Sequence, residues 1–361
     1  MSKYPRLIVN TDIIYNNNKI INDFCSKFGI SVTGVVKGFD GMISASKKMY
    51  EAGCKHIASS RLSHLKAINK KYPNIPLMLI RIPMLSEIKD VIKYCDISLN
   101  SEKDTLIILD RESKKQNKKH KVILMRDLGD LREGVFLRDD FIKLALFVEK
   151  ELDNLELLGI GTNLSCYGSI RPTYENLTEL SEDAKNIEVL INRELEIVSG
   201  GGTTTLPLLV KGKIPTKVNH LRIGEGIINT QDLPLYWDIY IDGLDKDSFI
   251  LQAEIIEINE KPTHPIGEMC VNAFGDCGYY EDKGIRKRAI VALGNFDIGD
   301  CKKLIPKDKG IKILGASSDH TILDIHDSQN NYRLGDIIEF NVLYQAMLVS
   351  SASDMINKKI I

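Results

Sequence analysis

The sequence predicts an α/β protein: a (β/α)8 barrel followed by a mainly β C-terminal domain. Three observations carry that prediction. Across residues 15–232, short β-branched runs alternate with amphipathic stretches, and eight strand-then-helix units can be counted. Beyond about Pro234 helical periodicity fades, and strand-like runs separated by Gly, Asp, Asn and Lys turns take over. At 361 residues the chain has room for two domains, or for one large barrel with an appendage. An open doubly wound sheet is the competing architecture for the first part.

Taken in order, RLIVNTDII (6–14) is strand-like but precedes the eight-unit count, so residues 1–14 are grouped with 233–361 as the β domain. The eight barrel strands are read at 31–37, 55–60, 76–82, 96–100, 121–127, 155–163, 195–201 and 220–226. Between them, segments such as 40–53, 61–72 and 101–113 combine helix formers with apolar residues three or four apart. In the β domain the strand-like runs are IYIDG, FILQAEIIEIN, KRAIVALG, IKILGA, HTILDI and DIIEFNVLYQAMLV. The basic run KKQNKKHK (114–121) is read as a solvated helix end.

With 48 Lys+Arg against 49 Asp+Glu the chain is close to neutral, which argues against a nucleic-acid binder driven by a global basic field. No apolar stretch approaches the ~20 residues needed to span a bilayer. The opening MSKYPRLIVNTD lacks the charged-then-apolar order of a signal peptide, so a cytoplasmic protein is expected, with no membrane partner. Seven scattered cysteines without CxxC spacing predict reduced, partly buried thiols, and the seven histidines form no HExxH or HxH cluster. No metal site is expected.

In a barrel of this kind, chemistry sits at the C-terminal ends of the strands. Lys37 ends the first strand, where partial desolvation lowers a lysine's pKa and suits Schiff-base chemistry; a lysine turned to solvent is the alternative. The seventh strand runs into Ser199-Gly200-Gly201-Gly202-Thr203-Thr204-Thr205, whose glycines allow close backbone approach and whose donors suit a phosphate. The eighth supplies Arg222-Ile223-Gly224-Glu225-Gly226. Arg126, Asp127 and Arg132 follow the fifth strand, and Asn163 ends the sixth. A lysine, phosphate donors and anion-binding arginines thus share one barrel face.

The ordered set of V-V-K, D-x-G-x-x-R, the glycine loop and L-R-I-G resembles fold-type III pyridoxal-phosphate enzymes, specifically the ornithine racemase branch of the alanine/ornithine racemase family. The resemblance covers nearly the whole chain. It implies that Lys37 carries pyridoxal phosphate as a Schiff base. By the same likeness Ser199, Gly202, Thr203, the backbone at Gly224 and Glu225, and Tyr344 would cradle its phosphate. Arg222 would face the pyridine nitrogen and, because an arginine keeps its proton, would leave that nitrogen unprotonated. Arg132 and Asn163 match substrate-side positions, Arg132 holding the carboxylate through paired hydrogen bonds. The implied assembly is a homodimer with shared active sites.

Departures from the alanine racemase pattern point away from alanine. Gly41 stands where those enzymes have a tyrosine four residues after the lysine, Asn163 replaces a histidine, and Asn295 falls near the tyrosine that serves as second acid/base. The substitute base is expected in the turn 315–320: His320 is of the residue type suited to proton exchange, and Asp319 can pair with ornithine's distal ammonium. Cys270 and then Tyr279 are the reserves for the base. The expected reaction is therefore two-base interconversion of L- and D-ornithine, with a basic amino-acid decarboxylase of the same fold type or a non-enzymatic pyridoxal-phosphate homeostasis protein as alternatives.

Overall fold

In the computed structural model of the protein, residues 3–271, 275 and 277–361 are described, and they divide into two compact units. One is Asp12–Asp245; the other joins the stretch up to Thr11 to Lys246–Ile361. The junctions therefore lie away from the expected 14/15 and 232/233. The run 6–14 splits into β1 (Arg6–Val9) and the start of α1 (Thr11–Ser26), whose fully buried Ile14, Ile21 and Cys25 recur at helical spacing. At the other junction, the Asn17 side chain on α1 donates to Asp245 O (2.7 Å) and accepts from Asp245 N (2.8 Å), tying that segment to the barrel unit. IYIDG is not a strand. Asp238 (φ 51°) and Gly243 (φ 87°) bracket it with left-handed turns, and Tyr240 is exposed, so no ladder forms.

The barrel closes as expected. Its strands are β2 (Ser31–Val35), β3 (His56–Ser59), β4 (Leu77–Leu79), β5 (Ile97–Asn100), β6 (His120–Met125), β7 (Leu155–Gly161), β8 (Ile197–Ser199) and β9 (His220–Ile223), all parallel, with β9 pairing back onto β2. The intervening helices are α2 (Ile43–Glu51), α3 (Leu62–Lys71), α4 (Ile88–Tyr94), α5 (Lys103–Lys115), α6 (Arg138–Glu151), α7 (Tyr174–Ile191) and α8 (Leu206–Val210). Two short helices follow β9, α9 (Glu225–Ile228) and α10 (Asp232–Trp237). Helix α7 shows why the sequence starts it there: Thr173 Oγ1 accepts from Asn176 N (3.2 Å) while the Asn176 side chain accepts from Thr173 N (2.9 Å), a reciprocal cap. An apolar cluster running from Val35 on β2 to Ile197 on β8 draws on seven strands, and β9 adds none to it. The residues that alternate to one side of β9 are His220 and Arg222, both buried.

The second unit is a sheet in the order β12 (Leu304–Pro306), β15 (Ile337–Val342), β10 (Phe249–Pro262), β11 (Ile285–Val291), β14 (Thr321–Asp324) and β13 (Lys312–Ala316). Strand β1 pairs antiparallel with β10 and parallel with β16 (Asn357–Ile360). A short helix, α11 (Asn295–Ile298), follows β11. The run DIIEFNVLYQAMLV, expected as one strand, breaks after Val342 into α12 (Tyr344–Ala352), because Ala346, Met347, Ser350 and Ser351 bury one helical face.

Buried histidines make barrel stability depend on pH. His120 on β6 lies 2.9 Å from Ser98 Oγ, and burial lowers both His120 and His56 to about 4. The unfolded chain protonates near the ordinary histidine value while the native state does not, so this stability is full above that value and falls as pH drops toward 4. Between pH 7.5 and pH 5 each histidine should cost about 2 kcal/mol of unfolding free energy. Urea unfolding at the two pH values should show the loss, and His120→Gln should shrink it by about that amount.

Candidate active site

The polar side chains that replace apolar packing at β8, β9 and β2 form one continuous chain of hydrogen bonds. Arg222 donates from Nη1 to Ser199 Oγ and from Nη2 to Thr162 O (2.7 Å). Ser199 Oγ lies 2.8 Å from His220 Nδ1, His220 Nε2 lies 2.7 Å from Thr33 Oγ1, and Thr33 Oγ1 lies 3.1 Å from His56 Nδ1. The guanidinium can only donate, and one direction along the chain leaves every hydroxyl proton with an acceptor. In that direction Ser199 accepts from Arg222 and donates its O–H to His220 Nδ1, which goes with the Nε2–H tautomer of His220. Thr33 accepts that proton and donates to His56. Burial, with Arg222 as a second cause, pushes His220 well below its ordinary pKa, consistent with the neutral ring this chain requires.

Ser199 is thereby occupied: fully buried, its hydroxyl holds Arg222, and it is not free to contact a phosphate. Arg126 is likewise committed, donating to Asp127 O (2.7 Å), Val135 O (2.8 Å) and Asp183 Oδ2 (3.3 Å), so it is a structural cation and not an anion-binding one. The glycine loop interlocks with the turn after β9. Gly201 has φ 104°, a Cβ at Gly202 would sit 2.7 Å from Arg222 O, and Thr203 Oγ1 accepts from Gly226 N (3.1 Å). A Cβ at Gly224 would in turn sit 2.8 Å from Val35 O.

Lys37 lies two residues beyond β2, opening a 3-10 turn over Lys37–Phe39 instead of ending the strand. It is half-buried, and burial lowers its pKa; Cys166, Arg132, Glu133 and Glu225 are the charges and thiol that act on it. Arg222 senses Glu133, Cys166 and Arg132 as well, and burial brings it to about 10, which still leaves it protonated at neutral pH. Burial raises Glu225, which hydrogen-bonds Asp232. Lys37, Arg132, Arg222 and Glu225 are thus brought together, with Glu133 and Cys166 as members that sequence reasoning missed. Cys166 was covered by the general expectation of partly buried thiols, yet it is exposed, unlike Cys25, Cys54, Cys95 and Cys301.

Two buried polar groups at the end of β7, Thr162 Oγ1 and Asn163 Nδ2, make no hydrogen bond among the described residues. Unpaired buried donors at a strand's C-terminal end are what a bound polar ligand would satisfy. The half-buried lysine, the glycine cradle and the fixed guanidinium fit pyridoxal phosphate on the same grounds. The glycine at 41 also has its reason. Its φ is 61°, and a Cβ there would sit 2.6 Å from His64, whose ring bonds Ser59 Oγ (2.9 Å) and Asp40 Oδ1 (2.9 Å).

The remaining candidates lie in the sheet unit. Asp319 and His320 are exposed on the turn between β13 and β14, where Ser317 N donates to His320 O (2.8 Å) and His320 N donates to Ser317 Oγ (3.2 Å). That turn packs on the start of α11: Asn295 N donates to Ser317 O (2.9 Å) and Phe296 N to Ser318 O (3.0 Å). Asn295 itself is turned inward, its Oδ1 accepting from Cys301 N (3.0 Å). Tyr344 opens α12 and is half-buried. Cys270 and Tyr279 are exposed; Asn272–Phe274 and Asp276, between them, lie outside the described residues.

Three comparisons bear on this arrangement. The family profile "Alanine racemase, N-terminal domain" matches residues 9–231. The chain is 42% identical over 358 residues to an ornithine racemase from Acetoanaerobium sticklandii, covering 99% of this chain and 100% of the relative. It is 37% identical over 355 residues to a lysine racemase from Thermotoga maritima, covering 98% of each. Among solved structures, an alanine racemase from Streptomyces lavendulae superposes over 100% of this chain and 98% of its own with TM-score 0.74 at 12% identity, a likeness of fold.

The occupied Ser199 hydroxyl yields a test that separates its two roles. Ser199→Ala should cost about 2 kcal/mol of unfolding free energy in the cofactor-free protein, because Arg222 and His220 each lose a buried partner. A serine that only contacted phosphate would leave the denaturant midpoint of that protein unchanged.

Proposed function

This chain belongs to the alanine racemase family of pyridoxal-phosphate-dependent amino-acid racemases, and from that premise we propose that it interconverts L- and D-ornithine. The observation that carries the substrate reading is the 42% identity to an ornithine racemase along essentially the whole of both chains. Lysine, one methylene longer, is the second reading, favoured by the 37% identity to a lysine racemase. Racemase relatives over the full length displace the decarboxylase and homeostasis-protein alternatives.

When bound, pyridoxal phosphate withdraws electrons from the amino acid's Cα and makes its proton removable. Lys37 would hold the cofactor and exchange the proton on one face; its lowered pKa brings the free amine closer to neutral pH. Arg222, fixed by Ser199 and Thr162 O, would stay a cation beside the ring nitrogen and keep a proton off it. Gly202, Thr203, Gly224, the Glu225 backbone and Tyr344 would hold the phosphate. Asn163, with its unpaired Nδ2, and Arg132 would meet the substrate, Arg132 through the N–H groups that Glu133 leaves unused.

For the opposite face we infer His320 as the proton exchanger and Asp319 as the partner of the distal ammonium. Support for the latter comes from Asp297, whose pKa is raised first by burial and then by Asp319, so two carboxyl groups gather near one exposed turn. A homodimer in the cytosol, each copy lending its sheet unit to the other's barrel, completes the reading.

A chiral assay of the loaded enzyme should show loss of enantiomeric excess from L-ornithine, slower loss from L-lysine and negligible loss from L-alanine. Lys37→Ala should abolish turnover. His320→Ala should slow solvent-proton exchange from one enantiomer far more than from the other; equal slowing, or none, removes His320 from the mechanism.

A further inference from the structure

We propose that Asp130 is a positioning residue for the substrate carboxylate: it fastens the loop after β6 to the loop after β7 and thereby sets Arg132 against Lys37. The inference rests on the racemase reading above. Asp130 is 1% exposed, and among the described residues its carboxyl oxygens are met by main-chain N–H groups and by no cation. Its Oδ1 accepts from Ser165 N (3.0 Å) and Ile170 N (3.4 Å), and its Oδ2 accepts from Tyr167 N (3.0 Å) and Cys166 N (3.3 Å). Four main-chain N–H groups of one loop thus converge on a single carboxyl group of the other, so both of its buried oxygens are satisfied.

The root of the first loop is fixed without Asp130, by Arg126 on the carbonyls of Asp127 and Val135. Its start is curled by Asp127 Oδ1, which accepts from Gly129 N (2.9 Å) and Leu131 N (3.1 Å). The tip has little else to hold it. Leu131 is exposed and takes φ 56°, and among the described residues Arg132 pairs with its neighbour Glu133 alone. Across the clasp, Ser165 (φ 63°) and Ser169 (φ 56°) are left-handed too, conformations that persist in non-glycine residues only when surrounding bonds over-determine them. The fit is tight, since a Cβ at Gly168 would sit 2.7 Å from Asp130 O. The two sides of the clasp carry Arg132 and Cys166, and both act on Lys37 and Arg222. Asp130 therefore anchors the loop that carries, two residues on, a guanidinium whose charge acts on Lys37.

The test uses the loaded enzyme and separates carboxylate recognition from general loosening. Asp130→Asn turns an amide N–H2 toward donors, so KM for ornithine should rise about tenfold or more while kcat falls by less than about threefold. Binding of 1,4-diaminobutane, which is ornithine without its carboxylate, read from the bound cofactor's visible absorbance, should change by less than about twofold. Arg132→Lys should give the same split, and the double variant should add little to either single one. Should Asp130→Asn fail to fold, Gly168→Ala pushes the same two loops apart without touching the carboxylate and should raise KM in the same way. Parallel weakening of ornithine and 1,4-diaminobutane, loss of the cofactor, or an unchanged KM would overturn the proposal. If the enzyme turns over lysine and not ornithine, the substrate assignment fails on its own, and the same comparison is run with lysine and 1,5-diaminopentane.

Discussion

A guanidinium buried inside a closed barrel must be satisfied without water, and much of this site follows from how Arg222 meets that requirement. One arm reaches Thr162 O and the other Ser199 Oγ. With that cation donating at one end, pairing every hydroxyl proton along the chain to His56 gives one donor direction, in which both histidine rings are neutral. The barrel interior is accordingly divided between an apolar cluster drawn from β2 to β8 and a polar seam at β8, β9 and β2. The seam puts polar side chains from β8, β9, β2 and β3 into the barrel interior and yields a cation held by groups on the strands rather than on a loop.

The opposite solution is used for Arg132. It sits on a loop, half-exposed and paired with its own neighbour, and its placement depends on a carboxylate two residues earlier that draws on another loop's amides. Arg222 is located by the scaffold and Arg132 by a clasp between loops. Groups that must hold one electronic setting and groups that must admit and release a substrate are thus supported differently, in keeping with the lower stability of loops that bind ligands.

The barrel was legible because each strand is a short β-branched run with a helical pattern behind it, and all eight appear within a few residues of where the pattern puts them. That Lys37, Arg132, Arg222 and the glycine loop fall at the C-terminal ends of barrel strands was legible from the strand pattern alone. What escaped depends on contacts distant in sequence. Ser199 looks like a phosphate ligand until His220 and Arg222, more than twenty residues later, are seen to share its oxygen. Asp130 looks like a surface aspartate until the amides at 165–170 arrive. The absence of a side chain at Gly41 makes sense only against His64. Local ambiguity explains the rest: IYIDG alternates like a strand but is bracketed by left-handed turns, and 344–352 is apolar enough for either element.

Strand β1 sits between two partners that the chain makes very late, β10 from Phe249 onward and β16 at Asn357–Ile360. Synthesis is vectorial, so β1 waits for β10 at one edge until residue 252 has followed and for β16 at the other until residue 360 has. The unit from Asp12 to Asp245 has no such dependence, since all eight of its strands lie inside it. The barrel unit can therefore fold before the sheet unit, whose β1 and β16 flank it in the sequence and pair only once both have been made.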